Sequence, residues 1–219
     1  MYVGTAKRLN RPVTLTVVYW YNELRGLPTT AITMKRLLDI GVCSMLLILF
    51  SVPMAFVALA VMLTSKGPIL YWSDRVGREN RIFRMPKFRS MRTDAPIVAT
   101  HLLRDPAAYL TPIGGFLRRS SLDELPQLFS ILVGDLSLVG PRPALFNQKD
   151  LVALRTARGI HHLVPGLTGW AQVNGRDELP IPVKVQFDYE YLQRKSFAFD
   201  LQIIFITAVK VMRSEGIQH

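Results

Sequence analysis

The run Arg118-Arg119-Ser120-Ser121-Leu122-Asp123-Glu124-Leu125-Pro126-Gln127 sets two adjacent carboxylates among leucines, just downstream of two guanidinium groups. Taken alone, such a pair is an ordinary feature of a solvated helix start. Here Leu122, Leu125 and Leu128 hem it in, which argues for partial burial. On a helix, Arg118 or Arg119 would share a face with Asp123 or Glu124. A carboxylate beside a guanidinium stays ionised at neutral pH and can serve as a nucleophile or a metal ligand.

Two further stretches carry phosphate-like chemistry. In Gly134-Asp135-Leu136-Ser137-Leu138-Val139-Gly140-Pro141-Arg142-Pro143, prolines on both sides fix the backbone that presents Arg142. A preset guanidinium fork suits a phosphate, and a rigid turn with an exposed arginine is equally compatible. Pro165-Gly166-Leu167-Thr168-Gly169-Trp170-Ala171-Gln172-Val173-Asn174-Gly175-Arg176 reads as a turn-rich polar loop able to hold a nucleotide. No Walker or Rossmann spacing is present, so ATP hydrolysis and dinucleotide redox chemistry have no support. The lone Cys43 excludes an intrachain disulfide and a cysteine metal cage. Among four histidines, His161 and His162 are adjacent and no two stand at helical ligand spacing, so the spacing gives a zinc site little support.

The elements that position these residues begin with an apolar run. Ile40–Leu63 is 24 residues without a charge, about 36 Å as a straight helix. Lys35 and Arg36 precede it, while Lys66 and a cluster through Arg92 follow it. Cytoplasmic preference for positive charge therefore pulls both ends to one side. Ser51-Val52-Pro53 lies near the middle, where the proline breaks the helix and the serine hydroxyl can satisfy a freed backbone group. The expectation is a re-entrant helix kinked at Ser51 and Pro53, in preference to a simple span or a buried core helix.

Charge agrees with that placement. The chain of 219 residues carries 27 Lys and Arg against 16 Asp and Glu, a net charge of +11, with 49% hydrophobic residues. Disordered basic tails lack such apolar content, and soluble nucleic-acid domains rarely reach it. The balance is +3 over residues 1–34, +7 over 35–104 and +1 over 105–219. The excess thus flanks the apolar run, as an interfacial cluster facing anionic lipid would.

Beyond it, Ile69–Val76 and Arg81–Phe88 flank Gly77–Asn80 as a hairpin, with Pro86 marking an edge strand or an early end. Thr93–Ala99 reads as loop, and Thr111–Gly115 as a helix entry. Phe116–Phe129 has a helical pattern in which Pro126 starts a new turn or helix. Leu145–Arg158 and Val183–Lys195 are amphipathic helices. Leu201–Met212 is strongly apolar, about 18 Å long, and suits the interface or the core equally, with Lys210 and Arg213 free to snorkel. Val13–Tyr21 is a short apolar patch with no cleavage pattern, a strand or surface segment.

Several motifs in fixed order now coincide: Lys35-Arg36-Leu37-Leu38-Asp39, the Ser51/Pro53 segment, Lys87-Phe88-Arg89-Ser90-Met91, Ser121 to Gln127, Gly140-Pro141-Arg142-Pro143, and Gly166 to Arg176. The set resembles the bacterial sugar transferases known as small monotopic polyprenol-phosphate phosphoglycosyl transferases, over about residues 34–214. In one departure, the family often has serine and proline adjacent at the break, whereas Val52 separates them here.

The resemblance implies a mainly α monotopic membrane protein with a small β-hairpin, a re-entrant kinked helix and interfacial amphipathic helices. It divides into an extension (1–33), the membrane helix (34–66) and a catalytic domain (67–219) on the cytoplasmic face of the bacterial inner membrane. The implied reaction, of EC 2.7.8 type, moves a sugar-1-phosphate from a UDP-sugar to polyprenol (undecaprenyl) phosphate, releases UMP and opens assembly of a glycan such as an exopolysaccharide. Asp123 would be the nucleophile of a covalent aspartyl phosphosugar. Mg2+ would be held by Glu124 with Asp123. Arg118, Lys87 and Arg142 would bind phosphate, with Arg176 a weaker candidate. Implied partners are both substrates and anionic lipid, with a homodimer compatible and nucleic acid excluded. The alternatives are a transfer in one ternary complex, with Asp123 as base or ligand, and a non-catalytic basic membrane adaptor of the same fold.

Overall fold

A computed structural model describes residues 29–96, 105, 107–175 and 179–212. The Val13–Tyr21 patch and Arg176 lie outside the described residues.

The apolar run forms two helices, α1 (Thr29–Leu49) and α2 (Ser51–Thr64), bent by 60° at Phe50. No single described helix is long and apolar enough to cross a membrane, whereas this bent pair qualifies by length and composition. The break falls where the sequence places it. Pro53 sits in the first turn of α2, where its missing N–H costs least. Ser51 Oγ donates to the Ile48 carbonyl at 2.7 Å, a group freed by the bend. The intervening Val52 puts the bend at Phe50, ahead of both marker residues.

One face of α1 docks on the body at i, i+4 and i+8. Lys35 Nζ donates to Asp200 at 2.5 Å, Asp39 accepts from the Leu138 amide at 3.1 Å, and Cys43 Sγ lies 3.0 Å from the Leu128 carbonyl. The opposite face, together with α2, exposes Met45, Ile48, Leu49, Val52, Phe56 and Leu63.

Strands β1 (Leu70–Val76) and β2 (Ile82–Phe88) form the expected antiparallel hairpin, with Leu70 opposite Phe88. Pro86 lies on β2, an edge of the sheet, as its missing donor requires. The other edge is β4 (Ala144–Leu145), which takes the first residues of the helix expected from Leu145. That helix is shorter, α5 (Lys149–Ala157), because Leu145 is committed to the sheet.

The helical span expected from Phe116, with a new start at Pro126, is three pieces: α3 (Gly114–Arg119), a 3-10 turn (Leu122–Glu124) and α4 (Gln127–Val133). Ser121, at φ 56° in the left-handed region, makes the first break, and Pro126 the second. Arg36 then donates to the Ile131 and Leu132 carbonyls at 2.6 and 2.7 Å, satisfying orphan acceptors at the end of α4.

The loop expected from Pro165 to Arg176 contains a strand, β5 (Gly166–Thr168), and a short helix, α6 (Trp170–Val173). β5 runs parallel to β3 (Ser137–Val139). The last helices are α7 (Ile181–Arg194) and α8 (Phe197–Met212). α8 serves both expected environments: Phe199 and Ile203 are buried, while Phe205 and Val211 are exposed. Lys210 does not snorkel; its ammonium donates to the Val173 carbonyl at 2.8 Å.

A single core joins α1, α4, β3, α5, α7 and α8 through residues such as Ile131, Leu138, Leu151, Val185, Tyr191 and Ile203. Each fully buried apolar side chain of this kind contributes about 1.5–3 kcal/mol. A smaller cluster of Val57, Val61, Phe88 and Leu117 packs α2 against β2 and α3. Both arms of the bent pair are therefore fastened to the elements that carry the carboxylates.

Candidate active site

Two breaks in a helical stretch create the turn that displays Asp123 and Glu124. Leu122 and Leu125 turn inward against the cores, which fixes the carboxylates between them. Asp123 is 7% exposed, a buried carboxylate on a short turn.

Three distant segments converge on Glu124. Lys87, from β2, donates to its Oε1 at 2.6 Å, and Arg142, from the β3–β4 loop, donates to the same oxygen at 3.2 Å. Both cations take Oε1, which leaves Oε2 for another ligand. Burial pushes the Glu124 carboxyl up, but the charges and hydrogen bonds of Lys87 and Arg142 outweigh it and hold the group well below the usual carboxylate range. Asp123 resolves the other way. Burial raises its pKa, Glu124 adds to the rise, and the opposing charges of Lys87, Arg118 and Arg142 do not cancel the two. Neighbouring carboxylates thus differ: Glu124 is a fixed anion, and Asp123 a more basic one.

Arg118 approaches the pair from the end of α3. Its Nε donates to Ser90 Oγ at 3.2 Å and an Nη lies 3.0 Å from Met91 Sδ, so Ser90 and Met91 aim it. Arg89, in the same short motif, is structural: buried, it donates to the carbonyl and hydroxyl of Ser65 at 2.8 and 2.7 Å and ties down the end of α2.

The segment holding Arg142 is gripped from behind. Arg155 Nη1 donates to the Arg142 carbonyl at 2.8 Å, and Arg75 Nη1 to the Pro143 carbonyl at 3.2 Å. Arg155 is itself set by Asp188, which accepts from Nε and Nη2 at 2.9 and 2.6 Å while only 1% exposed. The glycines of the later motif also serve this segment. A Cβ on Gly140 would meet the Val164 carbonyl oxygen and the Gly166 amide, and one on Gly169 would meet the Gly140 carbonyl. Gly166 and Gly169 thus give close backbone packing under the Arg142 loop. Gly140→Ala is expected to destabilise the protein by about 2–4 kcal/mol through that overlap, read as a lower denaturation midpoint.

The structure thus brings together Lys87, Arg118, Asp123, Glu124 and Arg142. The residues not expected from sequence are Arg75, Arg155, Asp188 and Ser90. Asp188 left a readable sign, because it falls on the apolar face of α7 with Val185 and Tyr191, a charge on the side that must be buried.

This chain matches the family described as bacterial sugar transferase over residues 30–214. It belongs to that family. Among its relatives, it is 42% identical over 185 residues to the uncharacterized sugar transferase EpsL of Bacillus subtilis strain 168, covering 84% of this chain and 90% of EpsL. It is 39% identical over 186 residues to the UDP-glucose:undecaprenyl-phosphate glucose-1-phosphate transferase of Escherichia coli K12, covering 81% of this chain and 40% of that protein. The corresponding figures for the undecaprenyl-phosphate galactose phosphotransferase of Salmonella typhimurium strain LT2 are 35% over 201 residues, 84% and 41%. The chain therefore spans nearly all of EpsL but about two fifths of the relatives named for a reaction. Each segment of the Asp123 site lies inside the stretch matched to the bacterial sugar transferase family.

Proposed function

We propose that this bacterial sugar transferase moves a sugar-1-phosphate from a UDP-sugar to undecaprenyl phosphate and releases UMP, with Asp123 as the nucleophile. The observation that carries the reading is the pairing of a buried, more basic carboxylate with a clamped one beneath three cationic side chains. In the first step, an Asp123 oxygen forms a bond to the phosphorus bearing the sugar, and the bond from that phosphorus to the bridging oxygen breaks. UMP leaves with the electron pair. In the second step, an oxygen of undecaprenyl phosphate attacks the same phosphorus and Asp123 departs as carboxylate. Lys87, Arg118 and Arg142 bind and orient the diphosphate and balance its charge.

The donor set suits magnesium. Glu124 offers Oε2 as a hard oxygen ligand held anionic by its neighbours, Asp123 stands beside it, and the ion when bound would neutralise the diphosphate.

We further place residues 34–66 as a re-entrant hairpin in one leaflet and residues 67–219 as the catalytic unit on the cytoplasmic face. Three features support this: the 60° bend, the broad exposed apolar surface, and the tethers at both ends. Lys35 and Arg36 begin the pair and Ser65 ends it, and all three hydrogen-bond to one body. Opposite sides of a bilayer cannot both be reached from one body. The expected partner surface is anionic lipid around Lys66 and the basic stretch after it. In a Cys43→Ala background, cysteines placed at Leu37 and at Lys66 are expected to react with an impermeant maleimide from the same face of sealed vesicles. Labelling from opposite faces defeats the re-entrant placement.

The reaction is tested by UMP release across a panel of UDP-sugars, with undecaprenyl phosphate and Mg2+. Release that needs the lipid phosphate is expected with at least one sugar. Silence with the whole panel would instead favour a membrane adaptor.

A further inference from the structure

The hairpin tip supplies a second cluster, at the other end of β1 and β2 from Lys87. Glu79 and Asn80 both lie at φ 56°. That left-handed conformation is disfavoured for a residue with a side chain, more for glutamate than for asparagine. Asn80 is held there by a hydrogen bond to Thr156 Oγ1 at 2.9 Å, and the loop is closed by the Gly77 amide on the Arg81 carbonyl at 2.7 Å. The result is to turn the Glu79 carboxylate onto a 3-10 turn, Ile160–His162. His162 Nδ1 lies 2.9 Å from Oε1, and His161 Nε2 lies 3.9 Å from Oε2. One ligand atom from each of the three side chains falls within 4.8 Å of the others.

We propose that Glu79, His161 and His162 form a binding site for a divalent transition cation of the zinc class, with an open fourth position. The spacing of the histidines in sequence hides this site because the third ligand comes from the hairpin. Two imidazoles and one carboxylate match zinc and cobalt, whereas magnesium and calcium take oxygen ligands. Bonds of about 2.1 Å need ligand atoms roughly 3.3 Å apart. His162 Nδ1 and Glu79 Oε1, at 2.9 Å, must part slightly while both draw in on the better fixed His161, movements open to an exposed imidazole and a half-buried carboxylate.

Two further features bear on the cluster. His161 Nδ1 is buried with no hydrogen-bond partner among the described residues. The same ring lines a small cavity with Val76, Gly77, Ile160 and Arg155, where a water can take the Nδ1 proton while Nε2 faces Glu79. Opposing the site is Arg78, whose Nε lies 4.0 Å from Glu79 Oε1 and repels a cation, which lowers affinity without removing a ligand. A bound ion would fasten the hairpin tip to the body. Nothing in this proposal depends on the chemistry at Asp123.

The test uses the full chain without an affinity tag, in detergent, stripped by a chelator and titrated with Co2+. Visible bands of a tetrahedral or five-coordinate Co2+ are expected to saturate at one ion per chain, to vanish on adding Zn2+ and to survive excess Mg2+. Zn2+ is expected to raise the melting temperature of the parent protein. His162→Ala and Glu79→Gln are each expected to weaken Co2+ binding about tenfold or more and to lose the Zn2+-dependent rise. With Mg2+ supplied and no zinc-class ion present, UMP release by the variants stays at the level of the parent. The proposal is overturned if the parent shows neither the bands nor the rise, or if both variants match the parent in affinity.

Discussion

Asp123→Asn is expected to lower the rate of UMP release by at least about ten-thousand-fold, because an amide at that position cannot form the phosphorus bond. The folded protein should respond in the opposite direction. Burial lifts the Asp123 pKa above its ordinary value, so the charged form is a cost to the fold at neutral pH. Folded chain binds a proton there at pH values where unfolded chain does not, and stability from this group therefore rises as pH falls through the folded pKa. Removing the charge at pH 7 should raise the melting temperature by a few degrees. The same shift sets the acid side of the activity profile: the nucleophile is lost to protonation above the pH at which a solvated aspartate would be. A phosphosugar adduct on Asp123, seen by mass spectrometry of the quenched enzyme, distinguishes nucleophilic attack from transfer within a ternary complex. An active Asp123→Asn enzyme would defeat the nucleophile assignment.

The second large effect is expected far from the phosphates. Asp188→Ala leaves Arg155 buried without its carboxylate, a loss of about 3–5 kcal/mol. That alone would not separate packing from positioning. In Arg155→Met with Asp188→Leu, the charges leave together and much of the stability is expected to return. Activity is not. Arg155 holds the carbonyl of Arg142, whose guanidinium holds Glu124, so the double variant should retain a folded core and a raised KM for the UDP-sugar. Recovery of both stability and KM in the double variant would limit Arg155 to packing.

These two cases mark the boundary of what the sequence discloses. The bend at Phe50 was legible because its causes are local: a proline, a serine and charges at both ends. The hairpin was legible from its alternation and its turn residues, and Pro86 even named its edge. Reading Asp123 and Glu124 as a pair needed only adjacency. Their unequal character is a different matter, since it comes from Lys87 and Arg142 meeting at one oxygen across 37 and 18 residues of chain. The Arg155–Asp188 clasp spans 33 residues and has no fixed spacing. Nor does pairing of three-residue strands β3 and β5 have room for a period. Periodicity reports which face is buried, and not which partner waits there. The break at Ser121 illustrates a third limit, because serine carries no strong preference for the left-handed conformation that splits α3 from the carboxylate turn.

The hydrogen bond from Lys35 to Asp200 joins residues 165 apart. A ribosome delivers the apolar helix well before its anchor, and closure of so long a loop is slow. Until α8 emerges, Lys35 lacks the carboxylate that later fixes it. On the re-entrant placement proposed above, the apolar segment takes its depth in the bilayer before that contact exists, and the later elements fold onto it. Order of synthesis and order of assembly then run the same way, with α8 serving as the latch.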